Sequence, residues 1–160
     1  MKVGVVFPSR FEEPGEFLAD ARAMEAAGAD SVWLEEDGDS LDPWLFLAAI
    51  AAVTGQLRLG LILGSTPRPG AEPHRRMATL HRLSRQRAMA GVAQGGKIVS
   101  GTERWRRVEV PADREAWAET LAKAGDDADG VLVPLDPRLL DILRHPEDAI
   151  DRSDLLLASG

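Results

Sequence analysis

The chain has 160 residues, 44% hydrophobic and 28% charged, with a net charge of −7 and no cysteine. That length suits a single domain, 1–160, with its own core, and the composition is too apolar for disorder. The negative balance disfavours nucleic acid or an anionic membrane as partner, and the lack of thiols excludes disulfides and thiolate chemistry.

No stretch reaches membrane-spanning length, and the opening MKVGVVFPSR lacks the apolar run of a signal peptide, so a cytoplasmic protein is expected. Val3–Phe7 is a continuous apolar run closed by Pro8, as in a strand buried on both faces. Phe17, Leu18, Ala21 and Met24 then trace a helix that ends at Gly28, where a left-handed C-cap is wanted. Ser31–Leu34 is the next strand and runs into the acidic cluster Glu35, Glu36 and Asp37. Asp42 and Pro43 open a second helix as N-cap and first helical residue. Its body, Trp44–Val53, is apolar nearly all round, which calls for deep burial or a subunit contact. Leu57–Leu63 is the third strand. From Pro73 onward, Met77, Leu80 and Leu83 form one apolar ridge, leaving Arg75, Arg76 and Arg82 for water. The small-residue strand Ala88–Ala93 follows, and Gly91 within it marks a close approach by backbone or ligand.

To Gly96 the order is β-α-β-α-β-α-β, which predicts a parallel sheet with right-handed crossovers. Beyond it, Lys97–Arg107 reads as a loop with room for a short strand, and Val108–Val110 as another short strand. Asp113 caps a helix running to Ala124, with Ala116, Trp117, Leu121 and Ala124 on its apolar face. Val131–Val133 is a strand, Asp136 and Pro137 repeat the helix start, and Leu155–Leu157 is a final strand. The expected fold class is α/β, a parallel β/α barrel-like sheet shortened to about six strands, since a full eightfold barrel takes about 250 residues. Six strands either close tightly or leave an edge for a second copy to cover. Together with the apolar helix Trp44–Val53, that predicts a homodimer.

The stretch Pro73–Gly96 resembles the luciferase-like monooxygenase family, whose members carry a helix ending in A-x-L-D-R-L-S-G-G-R followed by a strand with glycines. The matching residues are Ala78, Leu80, Arg82, Leu83, Ser84, Arg87, Gly91 and Gly95. His81 replaces the aspartate, and Arg85 and Gln86 replace the glycine pair. The resemblance is firm over 1–96 and divergent and shortened over 97–160. It implies a TIM-barrel-related fold with FMN or the deazaflavin F420 lying over the carboxyl ends of the strands.

In a parallel barrel those ends are where ligands bind. Phe7 closes the first strand. In the family the third strand often finishes with a non-proline cis peptide behind the ring; Gly64–Ser65, followed by Thr66, is the matching position, and a plain turn is the alternative. Gly91, Gln94 and Gly95 offer backbone amides to a phosphate or a ring edge. These seven residues form the candidate cofactor site, with Arg68, Arg75 and Lys97 as phosphate partners or simply as solvated cations.

Family members usually place a histidine after the second strand as acid or base. Here Asp37 and Gly38 stand in its place, so Glu36 and Asp37 are the candidate catalytic carboxylates, provided the cluster raises one pKa; the other reading is a solvated acidic loop. No ligand set converges on His74, His81 or His145, so no metal is expected. Trp117 reads as core, and Trp105, flanked by Glu103, Arg104 and Arg106, as the cap of a pocket or partner surface. The resemblance implies a flavin- or F420-dependent oxidoreductase or monooxygenase acting on a small-molecule substrate. The alternative is a luciferase-like partner or regulatory subunit that has lost the site and binds no cofactor.

Overall fold

Strand β1 (Lys2–Val6) leads through helix α1 (Pro14–Ala26) to β2 (Ser31–Glu35), then α2 (Pro43–Val53), β3 (Arg58–Leu63), α3 (Pro73–Leu83) and β4 (Ala88–Gln94). A hairpin of β5 (Lys97–Ser100) and β6 (Glu103–Arg107) follows, then α4 (Arg114–Ala124), β7 (Gly130–Pro134) and α5 (Pro137–Arg144). The computed structural model describes residues 1–36, 41–64 and 73–144. None of the described helices is long and apolar enough to cross a membrane.

The strands close into a barrel in the order β1-β2-β3-β4-β5-β6-β7, with β7 returning to pair with β1. The α/β barrel expected from the sequence is therefore present, with two corrections. The barrel has seven strands among the described residues rather than about six, and β5 runs antiparallel to both β4 and β6. The difference lies in Lys97–Arg107, which is a two-stranded hairpin rather than a loop. Gly95 (φ +58°), Gly96 (φ +78°) and Gly101 (φ +58°) provide the left-handed backbone its two turns need. Val108–Val110 is not a strand: the Val108 amide donates to the Leu132 carbonyl at 2.9 Å and the chain then leaves the sheet. Leu155–Leu157 lies outside the described residues. A closed barrel has no free edge, so the open-edge argument for a second copy does not hold.

Strands β1, β2, β3 and β7 are buried on both faces, as their apolar runs required, whereas β4, β5 and β6 each leave residues part-buried or exposed. Val5, Val32, Leu34, Leu59, Leu61, Val131 and Val133 face outward and pack under Phe17, Met24, Leu47, Ile50, Leu80, Trp117 and Leu139 of the surrounding helices and loops. The inward residues form three tiers. At the amino-terminal end, Glu103 pairs with Lys2 and accepts two bonds from the Arg58 guanidinium at 3.2 and 3.0 Å. Burial pushes the Glu103 carboxyl up, but the Arg58 and Lys2 hydrogen bonds outweigh it and hold the group below its ordinary range. In the middle, Trp33 and Trp105 meet edge to face at 5.3 Å, both fully buried among Ile62, Ile98 and Leu132. At the carboxyl end, Glu35 pairs with Arg107. Trp105 is thus an interior wedge, not the cap of a pocket or partner surface; its position two residues from Glu103 and Arg107 on one strand face puts it inside.

Glycines make room for the indoles. A Cβ on Gly60 would lie 2.2 Å from the Trp33 ring, one on Gly4 2.7 Å from its Nε1, and one on Gly130 2.5 Å from Trp105. The Trp33 Nε1 donates to Ser31 Oγ at 2.9 Å, so its buried polar edge is satisfied.

Helix ends determine how the helical layer meets the barrel. The α2 N-cap is Asp42, accepting from the Trp44 amide at 2.9 Å, and that of α4 is Asp113, accepting from the Ala116 amide at 2.8 Å. The loop from α2 to β3 is held from both sides. The Glu25 carboxylate accepts the amides of Gly55, Gln56 and Leu57 at 2.9, 2.6 and 2.8 Å. Arg87 spends its guanidinium on the carbonyls of Ala51, Thr54, Leu57 and Ser84 and on Thr54 Oγ1, all within 2.7–3.0 Å. Burial pushes the Glu25 carboxyl up, yet those three amides and the nearby Arg87 hold it below its ordinary range.

Helix α1 ends in a Schellman cap: Gly28 (φ +88°) donates to the Glu25 carbonyl and Ala29 to that of Met24. Helix α3 ends in the same cap without glycine. Arg85 donates to the Arg82 carbonyl at 3.3 Å and Gln86 to that of His81 at 2.7 Å, with φ at +55° and +67°. Each side chain in that region costs about 1–2 kcal/mol, which explains why a glycine pair suits these two positions. The double variant Arg85→Gly/Gln86→Gly is expected to gain about 1 kcal/mol, after the entropy glycine loses on folding, and to raise the melting temperature by about 2–4 °C in a calorimetric scan.

Candidate functional site

The carboxyl ends of the parallel strands open onto a pocket of about 280 Å³ lined by Val6, Phe7, Pro8, Ser9, Glu35, Pro134 and Leu135. The β1 and β7 ends stay in register through the Leu135 amide, which donates to the Val6 carbonyl at 2.8 Å. Below the pocket the barrel is solid, because Trp33, Trp105 and Leu132 fill the middle tier. A ligand can therefore lie across the mouth but cannot enter the barrel.

Phe7 borders this pocket, although its ring is 2% exposed and packs edge-on against Phe17 at 5.4 Å in the helical layer. The Glu36 amide donates to the Ile62 carbonyl at 2.9 Å, prolonging the β2–β3 ladder past the end of β2. That places Glu36 beside Gly64: a Cβ on Gly64 would meet the Glu36 carbonyl oxygen at 2.8 Å. The structure thus brings Glu36 and Gly64 together at the mouth. Asp37, Ser65 and Thr66 lie outside the described residues, and so does the Gly64–Ser65 bond where the cis peptide was expected. Arg68 and His145 lie outside them too.

Gly91 is inside the barrel. A Cβ there would lie 2.5 Å from Ile98 Cγ2 and 3.0 Å from the Trp33 ring, so the close approach that glycine signals is to the middle tier. Gln94 pairs with Lys97, and Gly95 forms the exposed turn between β4 and β5 with Gly96. Lys97 is committed to Asp127, 2.6 Å from its carboxylate and 3.0 Å from its carbonyl. The Lys97 hydrogen bond in turn holds the Asp127 carboxyl below its ordinary range. Arg75 borders a different hollow, an apolar groove between α2 and α3. Among the described residues no three histidines or carboxylates converge to hold a metal.

Two features of the mouth are not obvious from sequence order. The acid that lines the pocket is Glu35, the inward-facing member of the acidic cluster, because it lies two residues beyond Trp33 on the same strand face. Its partner Arg107 comes from β6, 72 residues away, and only the register Trp105↔Gly130 and Arg107↔Leu132 puts it at the same height. The alternation of β6, with Glu103, Trp105 and Arg107 on one face, is the signal that could have exposed it.

A family model described as luciferase-like monooxygenase matches residues 1–122. Among solved structures, a long-chain alkane monooxygenase superposes with a TM-score of 0.53 at 15% identity, over 77% of this chain and 38% of that one. A riboflavin lyase with a modified FMN and substrate riboflavin gives 0.50 at 22% identity, over 60% of this chain and 30% of that one. The coenzyme F420 dependent tetrahydromethanopterin reductase from Methanopyrus kandleri gives 0.47 at 18% identity, over 74% and 29%. The aligned part is thus 29–38% of each of these enzymes. No curated protein matches the chain.

Gly91→Ala is expected to lower stability by about 1–3 kcal/mol in the absence of any ligand, as overpacking does. In an Ile98→Ala background, which removes the methyl nearest to that Cβ, the same change should cost much less, a coupling that a double-mutant cycle in denaturant would measure. A Gly91→Ala protein that melts like the wild type and has lost flavin binding would instead place the ring over β4.

Proposed function

The chain belongs to the luciferase-like monooxygenase family, and from that premise we propose that it binds FMN or F420 across the carboxyl ends of its barrel strands and serves as an oxidoreductase on a small-molecule substrate. The observation that carries this reading is the mouth pocket above a barrel filled by Trp33 and Trp105. Its volume of about 280 Å³ is close to the lower end of small-molecule sites, about 300 Å³, and fits one face or edge of a planar ring. Val6, Pro8, Pro134 and Leu135 supply the apolar walls, Phe7 backs them, and Gly64 leaves the β3 end free of a side chain.

Bound there, a flavin or deazaflavin supplies hydride transfer or, in the flavin case, monooxygenation. The residues of the chain supply the rest. Trp33 and Trp105 keep water out from beneath the mouth, so a ring bound there rests on a dry, apolar floor. Glu36 is the candidate acid or base, a role supported by its backbone prolonging β2 at the rim beside Gly64. Gln94 and Gly95 sit at the tip of the β4–β5 turn, where backbone amides can face a phosphate.

The protein also pairs with a second copy through α2 and α3. Two exposed large apolar side chains, Leu45 and Leu83, line a groove of about 240 Å³ together with Asp42 and Arg76. Arg76 lies 3.5 Å from Asp42, so the face carries both signs of charge and can complement itself about a two-fold axis. The same face supports the second reading, a non-catalytic partner or regulatory subunit.

Titration with FMN and with F420, followed by visible absorbance, tests the cofactor. Binding in the micromolar range is expected for one of them, weakened at least tenfold by Pro134→Trp, which fills the pocket; no binding of either at high micromolar concentration ends the cofactor reading. Leu45→Glu is expected to yield a monomer in sedimentation at a concentration where the wild type is a dimer. A wild type that sediments as a monomer removes the homodimer.

A further inference from the structure

Two arginines in this chain, the part-buried Arg87 and the exposed Arg107, are used in opposite ways. Arg87 donates five hydrogen bonds and is fully spent on the α2–β3 loop and the end of α3. Arg107 donates, among the described residues, only to Glu35. A guanidinium has five N–H donors in a planar fork, and among the described residues most of this one is unspent. It is also at the mouth: β2 and β6 stand on opposite sides of the closed ring, so the Glu35–Arg107 pair spans the opening one tier above the Trp33–Trp105 contact.

The pair is built to open. Its side chains are 41% and 47% exposed, and ion pairs in that setting contribute little to stability because water screens them. Opening it costs little, and because Glu35 engages the guanidinium through one oxygen only, an oxyanion that meets two N–H groups of the fork makes the better-matched contact. Two other cations of the described residues are already engaged. Arg138 is held by both carboxylate oxygens of Asp136, at 2.9 and 3.0 Å, and Lys97 by Asp127. Glu35 lines the mouth pocket beside Val6, Pro8, Pro134 and Leu135, so a molecule resting on those walls reaches the ion pair directly.

We propose that Arg107 is an anion-binding residue of the barrel mouth and that Glu35 is its displaceable counter-ion. The ligand class is a small organic oxyanion, a phosphate monoester or carboxylate, whose apolar body rests on the pocket walls. The proposal builds on the reading of the mouth as the binding site and adds the charge its ligand carries. Glu35 has two consequences. It keeps the guanidinium from capturing inorganic anions, and it makes every oxyanion compete with an internal carboxylate, so binding selects molecules that also fill the apolar walls.

Phenyl phosphate and benzoate are the probes, with phenol as the uncharged control, titrated against wild type, Arg107→Gln, Arg107→Lys and Glu35→Gln by chemical-shift perturbation. Both anions are expected to bind the wild type and to lose at least tenfold in affinity in Arg107→Gln. Arg107→Lys, which keeps the charge without the fork, should fall between. Glu35→Gln should bind the anions severalfold more tightly, and phenol should be indifferent to all three changes. Thermal melts of the three variants close to that of the wild type exclude unfolding as the cause. Anion affinities that do not respond to Arg107 or Glu35, or no anion binding at millimolar concentration, overturn the proposal. FMN and riboflavin titrations on the same proteins separate the sources. An advantage of FMN over riboflavin that vanishes in Arg107→Gln assigns the oxyanion to the cofactor. Equal FMN and riboflavin affinity, with the anion probes still dependent on Arg107, assigns it to the substrate. Failure of every flavin to bind removes the cofactor reading and leaves the anion site to be judged by the two probes.

Discussion

The contact between two indoles and four small backbone positions is the constraint on which this barrel depends. Barrels of about eight strands are filled by tiers of branched aliphatic side chains. A seven-stranded ring is narrower, and here its middle tier holds Trp33 and Trp105, both fully buried. Two such rings fit only because the positions around them carry no side chain: Gly60 pairs directly with Trp33 and Gly130 with Trp105 on the neighbouring strands, and Gly4 and Gly91 leave room beside the Trp33 ring. Rings and glycines are one device: enlarging any of the four glycines drives a Cβ into an aromatic ring or its immediate neighbours, and shrinking an indole opens a cavity.

The tiers above and below follow from that choice. Along β6 every inward residue has a match across the ring: Glu103 with Lys2 and Arg58, Trp105 with Trp33, Arg107 with Glu35. The lower ion cluster is tied by several hydrogen bonds and stoppers the amino-terminal end. The upper pair is a single exposed contact at the end where a parallel barrel receives ligands. The same pairing of charges thus closes one end of the barrel and leaves the other available.

The fingerprint around α3 is architectural. Arg87 caps the carbonyls of the α2–β3 loop while Glu25 takes the amides of the same loop, and Ser84 is buried at the turn between helix and strand. This explains how the family could be recognised from Pro73–Gly96 without that stretch saying much about chemistry. Its residues hold α2, α3 and β3 in place, and the mouth is made by other strands. The Arg85–Gln86 departure keeps the cap geometry that a glycine pair would supply and bears its conformational strain.

By itself the sequence determined the local elements and their order. Buried runs such as Val3–Phe7 and Ser31–Leu34, the Asp42–Pro43 and Asp113 helix starts, and the Gly28 cap are all signals carried within a few residues, and all were legible. The hairpin of β5 and β6 was not, because ERWRR has one apolar residue in five and its burial comes wholly from across the ring. The same reason hid the role of Gly91, whose neighbours Ile98 and Trp33 are distant in the chain, and the partnership of Glu35 with Arg107. Strand alternation says which residues share a face, but only closure of the barrel says which residues stand opposite. Closure is a matter of register among non-adjacent strands, so only the tertiary structure could decide it.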